Sequence, residues 1–181
     1  CPTGVDMARL KAEYLARRNL THGASRRARL IAELPDRLPW ASRFPRLSNL
    51  LAQSTPFRSM VERRFGIDRR VPPPRLATTT FRAWYRRHQR RRGGGKESRG
   101  AVIYFVDTWT NYFTPQVGIA TVKLLERSGF SVDCPRMVCC GRPAISQGLL
   151  AEARQLAEIN VQRLSRAAPP GVPIVGSEPS C

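Results

Sequence analysis

Five cysteines, at positions 1, 134, 139, 140 and 181, are the side chains of this sequence best suited to soft-metal or redox chemistry. Two of them are adjacent, and Cys139-Cys140 is followed at once by Gly141. Neighbouring cysteines strain badly if they close on each other as a disulfide. The doublet therefore suggests two thiols splayed towards a metal or cluster, with Gly141 supplying the sharp turn. Free cysteine is also among the residue types most often buried, so the doublet alone reads equally well as a packed thiol beside a spare one. Cys181 shifts that balance towards a site. Thiolates select iron–sulfur clusters or zinc, and zinc would want a fourth Cys or His nearby. His22 and His88 are the only histidines, each close to arginines, and both read as surface residues rather than ligands.

The elements that must position these thiols are legible from residue 101 onward. Residues 101–106 form a continuous apolar run of buried-strand length. Thr114 and Pro115 open a helix carrying Val117, Ala120, Thr121, Leu124 and Leu125, and Gly129 stops it. Residues 130–133 read as a second strand, 149–164 as a long amphipathic helix and 172–175 as a third strand. Strand, helix, strand, helix, strand predicts an α/β fold with a small parallel, three-layer sheet. In such sheets ligands bind beyond the carboxyl ends of the strands. The segments after the three strands bring Asp107-Thr108, Cys139-Cys140 and Cys181 to that one edge. Cys134, at the end of the second strand, reads as a packing residue or as a substitute ligand.

The first half has a different character. Residues 1–100 carry 24 basic and 7 acidic residues, a net of +17, while residues 101–181 carry 7 and 6, a net of +1. Apolar spacing predicts helices through Met7 to Leu15, over 25–38 with Pro35 near its end, around Leu47, Leu50 and Leu51, and around Met60, Val61 and Phe65 up to Gly66. Trp40, Phe44 and Phe57 read as packing anchors of this helical extension. Residues 71–75 break the helical pattern, and 86–100 combine a basic run with a run of three glycines at 93–95, the composition of a linker. Of the 31 basic residues 28 are Arg, a bias that codon usage also produces. No aromatic-interleaved RNA motif, zinc-finger spacing or basic heptad region accompanies them, which argues against nucleic acid as the partner. The odd cysteine count without a disulfide framework favours a reducing cytoplasm. No apolar run reaches transmembrane length. The first residue is not Met and the last is Cys, so both ends read as cuts through a longer polypeptide.

Residues Val102 to Thr108, Asn111 to Pro115, Cys139 to Pro143, Gly148 and Ile174 to Cys181 together resemble the cysteine-rich CCG domain. That domain is similar among the cysteine-rich subunit of heterodisulfide reductase, the iron–sulfur subunits of glycolate oxidase and anaerobic glycerol-3-phosphate dehydrogenase, and the tails of FAD-linked D-2-hydroxyacid dehydrogenases. The Asp107-Thr108 pair and the Glu178-Pro-Ser-Cys ending look most like the last group. Cys1-Pro2 followed by Gly4-Val5-Asp6 resembles the end of a bacterial ferredoxin run, whose fourth cysteine holds a 4Fe–4S cluster. The resemblance implies four units: the end of a ferredoxin-like domain (1–18), a helical extension (19–85), a linker (86–100) and a truncated CCG domain (101–181). It implies Cys1, Cys139, Cys140 and Cys181 as ligands of 4Fe–4S clusters, with FAD on a domain outside this chain. It further implies a quinone or redox protein as electron acceptor and peripheral association with the inner face of a membrane. The family pattern has a cysteine where Thr108 stands. Cys134, a second CCG copy beyond residue 181, or Asp107 could fill that place.

Two functions of different classes follow: an electron-transfer module of a flavin-dependent dehydrogenase, or a basic module binding RNA or an anionic surface through structural cysteines.

Overall fold

The computed structural model describes residues 4–92 and 99–179. Cys1, Cys181 and the linker glycines Gly93, Gly94 and Gly95 lie outside the described residues.

The chain begins with four helices. α1 (Met7–His22) is capped by Asp6, whose side chain accepts the Arg9 N–H at 3.0 Å. α2 (Arg26–Ala41) is capped by Ser25 and runs on through both Pro35 and Pro39, three residues beyond the expected end. α3 (Pro45–Gln53) starts on a proline, α4 (Thr55–Phe65) carries Pro56 in its first turn, and Gly66, in the left-handed region, closes α4. Trp40 and Phe44 do not anchor this part: they are 72% and 69% exposed, and Phe57 is exposed as well. Aromatic residues in an apolar pattern imply a buried face only when another element covers them, and here none does.

α5 (Phe81–Arg92) places two helical turns inside the stretch whose composition reads as linker. Beyond it come β1 (Gly100–Phe105), α6 (Thr108–Tyr112), α7 (Pro115–Arg127), β2 (Phe130–Asp133), α8 (Arg142–Ser146), α9 (Leu150–Ala167) and β3 (Ile174–Gly176). The sheet is parallel in the order β2-β1-β3, with Val102 opposite Val132 and Tyr104 opposite Val175. This is the α/β arrangement expected. Val102 and Tyr104 on one face of β1 and Ile103 on the other are all buried, as a central parallel strand requires.

The core is built partly from ahead of the linker. Phe81, fully buried, meets the Tyr104 ring edge-on at 5.6 Å and packs with Val122 and Val132. Tyr85 donates its hydroxyl hydrogen to the Val132 carbonyl at 2.8 Å. His88 is not a surface residue: its ring stacks on Trp84 at 4.7 Å and its Nε2 lies 2.8 Å from Glu126 Oε2 on α7. Neighbours in sequence suggested an arginine field, but on a helix the residues three and four positions away decide the surroundings. For His88 these include Trp84, on the face turned to α7.

α1 and α2 lie against α8. The Asn19 side chain donates to the Gln147 carbonyl at 2.9 Å. Gly148, at φ +70°, comes so close to α1 that an added Cβ would stand 2.5 Å from the Ala16 nitrogen. A glycine is therefore required there for both its dihedral and its bulk.

Candidate metal centre

The site grows from the carboxyl ends of β1 and β2. Where β1 ends, Asp107 caps α6 by accepting the Thr110 N–H on Oδ1 at 2.8 Å. This carboxylate is 3% exposed, and its Oδ2 has no hydrogen-bond partner among the described residues. The next residue, Thr108, turns its hydroxyl to the Cys139 thiol, which also contacts the Cys140 side chain and the Gly141 N–H. The Cys139 thiol is held above the usual thiol range, first by its hydrogen bond to Cys140 and then by burial, while Gly141 and Thr108 pull it down.

Gly141 performs the turn expected of it, with φ +88° in the left-handed region. It is pressed against α9, where an added Cβ would lie 3.2 Å from the Ala153 carbonyl oxygen. The doublet is held from the same helix by Asn160. That residue is 6% exposed, and its amide is fully used: Oδ1 accepts the Val138 N–H at 3.0 Å, and Nδ2 donates to the carbonyls of Val138 and Cys139 at 3.2 and 3.1 Å. Residue-type reasoning missed Asn160. The signal was present, because it is a polar residue on the otherwise apolar inward stripe of an amphipathic helix, at the spacing of Leu149, Ala153, Leu156 and Leu164.

Arg82 of α5 closes one flank. Its N–H donates to Asn111 Oδ1 at 3.1 Å and its guanidinium to the Pro135 carbonyl at 3.0 Å, and burial lowers its pKa. Arg82, Asp107, Thr108, Tyr112 and Cys139 line a cavity of about 210 Å³ that α2 covers with Pro35 and Pro39. Cys134 stands apart from this group. It is buried in the core cluster with Phe81, Tyr104 and Val132, and burial pushes its thiol up to about 12.

Of the expected ligands, then, Cys139 meets Cys140 and Thr108, while Cys1 and Cys181 lie outside the described residues. Among the described residues no group of three His, Cys, Asp or Glu is gathered as a metal site. The donor chemistry fits a thiophilic centre nonetheless. Cys139 and Cys140 face each other without a disulfide, at the strand edge where ligands bind, next to a buried carboxylate oxygen that has no hydrogen-bond partner among the described residues.

The Cys139-Cys140 doublet at the carboxyl edge of a small parallel sheet makes the second half an α/β unit with thiols at its ligand-binding edge. Residues 102–181 match the family model CCG, described as the cysteine-rich domain, and that segment is a CCG domain. The chain is 29% identical over 140 residues to a subunit of anaerobic glycerol-3-phosphate dehydrogenase from Escherichia coli (strain K12), covering 76% of this chain and 35% of the relative. It is 46% identical over 55 residues to lactate utilization protein A of Geobacillus kaustophilus (strain HTA426), covering 30% of this chain and 23% of that protein. The counterpart from Bacillus subtilis (strain 168) is 44% identical over 55 residues, with the same coverage. The chain thus spans about a third or less of the length of the curated relatives it matches. No solved structure matches it.

Proposed function

We propose that this chain is the iron–sulfur electron-transfer portion of an FAD-dependent oxidoreductase acting on a D-2-hydroxyacid, and that it works in the cytoplasm. The observation that carries this reading is that Cys139 meets both Cys140 and Thr108 at the sheet edge, within the segment that matches the CCG model. Two similar proteins bear names tied to glycerol-3-phosphate dehydrogenase and to lactate utilization, which points to oxidation of a secondary alcohol. The substrate would give two electrons and a proton to FAD outside these residues, and a quinone or redox protein would accept the electrons.

A cluster bound here supplies transfer of one electron at a time. Cys139, Cys140 and Cys181 would hold it, and Cys1 would belong to a separate cluster of the ferredoxin type. The chain's own groups set the conditions. Asn160 fixes the backbone that carries the doublet, and Gly141 allows both side chains to turn to one side. The Gly141 N–H and the Thr108 hydroxyl donate towards the Cys139 sulfur, which lowers the electron density on it and favours the reduced form. α2 lines one side of the cavity beside Cys139 with Pro35 and Pro39.

The test is anaerobic mixing of the reconstituted full-length protein with a D-2-hydroxyacid. Bleaching of the iron–sulfur absorbance on the timescale of turnover is expected. Flavin reduction that leaves this absorbance unchanged would contradict the reading.

A further inference from the structure

Around the cavity beside Cys139 the protein holds a carboxylate and a guanidinium apart. Asp107, 3% exposed, spends Oδ1 on the Thr110 N–H and leaves Oδ2 without a hydrogen-bond partner among the described residues. Arg82 is pinned from two sides, its backbone N–H donating to Asn111 Oδ1 and its guanidinium to the Pro135 carbonyl. It makes no ion pair among the described residues, although burial works against its charge. Opposite charges drawn out of water ordinarily close on each other, because each is costly to bury unpaired. Here both line one cavity of about 210 Å³, together with Thr108, Asn111 and Tyr112. One water answers Oδ2 but fills only a small part of that volume. A concave space with a few fixed polar groups converging on it is the form of a small-molecule site.

The two ends define the ligand. A guanidinium offers parallel N–H donors that match a carboxylate. An ionised carboxylate only accepts, so the ligand must bring a donor to Oδ2. Benzene fills an apolar cavity of about 150 Å³, so about 210 Å³ admits roughly six to eight non-hydrogen atoms. That size places the donor close to the carboxylate. Asp36 also lines the cavity, but it is exposed and water screens its charge.

We propose that this cavity binds a small carboxylic acid with a hydroxyl or ammonium group on the carbon next to the carboxylate. Arg82 holds the carboxylate and Asp107 Oδ2 accepts the hydrogen of the donor. The matching 2-oxoacid would set a carbonyl oxygen against Oδ2 and is rejected. Binding needs only groups already in place in the chain and no cluster. Acid binding and iron content are measured separately, so this proposal and the electron-transfer reading fail separately.

The experiment is titration calorimetry of the full chain with both enantiomers of lactate and of alanine, and with pyruvate and propionate, acids of nearly one size that differ at the second carbon. Lactate or alanine should bind at millimolar concentration or below, and the tighter of the two identifies the donor as hydroxyl or ammonium. Pyruvate and propionate should bind about tenfold more weakly or worse, since each leaves Oδ2 unpaired. Asp107→Asn keeps an oxygen to cap α6 and offers an N–H where Oδ2 stands, so the preference over pyruvate should fall by about tenfold or reverse. Arg82→Gln should weaken all the acids together. Melting curves establish that each variant is folded; where one is not, the wild-type titrations decide. Absence of lactate and alanine binding to the wild type, equal binding of all the acids, or a folded Asp107→Asn variant with its selectivity intact overturns the proposal.

Discussion

Asn160 is the residue on which the geometry of the doublet turns. Its three hydrogen bonds satisfy backbone groups of Val138 and Cys139 that α9 and the preceding loop would otherwise bury unpaired. Leu at this position fills similar space and satisfies none of them. Asn160→Leu should therefore cost about 1–3 kcal/mol in denaturant unfolding. It should also change the electron paramagnetic resonance line shape of the reconstituted site, whereas an unchanged spectrum would reduce Asn160 to a packing residue. Cys134 has the opposite character. Its folded pKa, pushed up to about 12, exceeds that of an unfolded thiol, so the fold favours the protonated form. That contribution is fully present below the unfolded thiol pKa of about 8.5. It is lost as pH rises through about 12, and the slope reaches at most about 1.4 kcal/mol per pH unit. Cys134→Val should accordingly show a shallower loss of stability in alkaline melts than the wild type. The sequence displayed all of these residues, and it assigned roles only where residue type announces chemistry. The cysteines were legible for that reason. Asn160 was not, because a clamp is recognised by the partners it meets.

At the scale of elements, α5 shows why a boundary in composition is not a boundary in packing. Arg86 to Arg92 and the glycines after them look like linker, yet the helix carrying most of that basic run also carries Phe81, Trp84 and Tyr85 into the core of the sheet. Charge is a property of one helix face and leaves the other free to pack. Phe81→Ala should cost about 3–5 kcal/mol, as for other fully buried aromatic side chains, measured by denaturant unfolding. A fragment beginning at residue 101 should unfold without cooperativity, and one beginning at residue 78 should regain a sharp transition. Equal cooperativity of the two fragments would show that α5 is dispensable. The three strands, α7 and α9 were legible within a few residues because periodicity and turn residues agreed on them. α6 and α8, five residues each, were not, since they are too short for a period to register.

For the molecule as a whole, the helical first half and the CCG domain are joined by more than the chain between them. Asn19 bonds to Gln147, Gly148 admits α1, and Arg82 ties α5 to the loop after β2. Trypsin acting on the basic, glycine-rich stretch 93–99 should nick the chain and leave its two pieces in one gel-filtration peak. Gly148→Ala, which places a methyl group against the α1 backbone, should let them separate. Pieces of the wild type that part on nicking would mean that these contacts hold nothing together.

In the proposed centre Cys139, Cys140 and Cys181 form one ligand set, and Cys134 lies outside it. The most direct test replaces each of the four with Ser in the full-length protein, reconstitutes it anaerobically with iron and sulfide, and counts both after gel filtration. Large losses of iron, sulfide and visible absorbance are predicted for Cys139→Ser, Cys140→Ser and Cys181→Ser, with Cys134→Ser close to wild type. Equal loss at all four positions would instead contradict this set and make Cys134 the substitute for the cysteine that the family pattern has at Thr108.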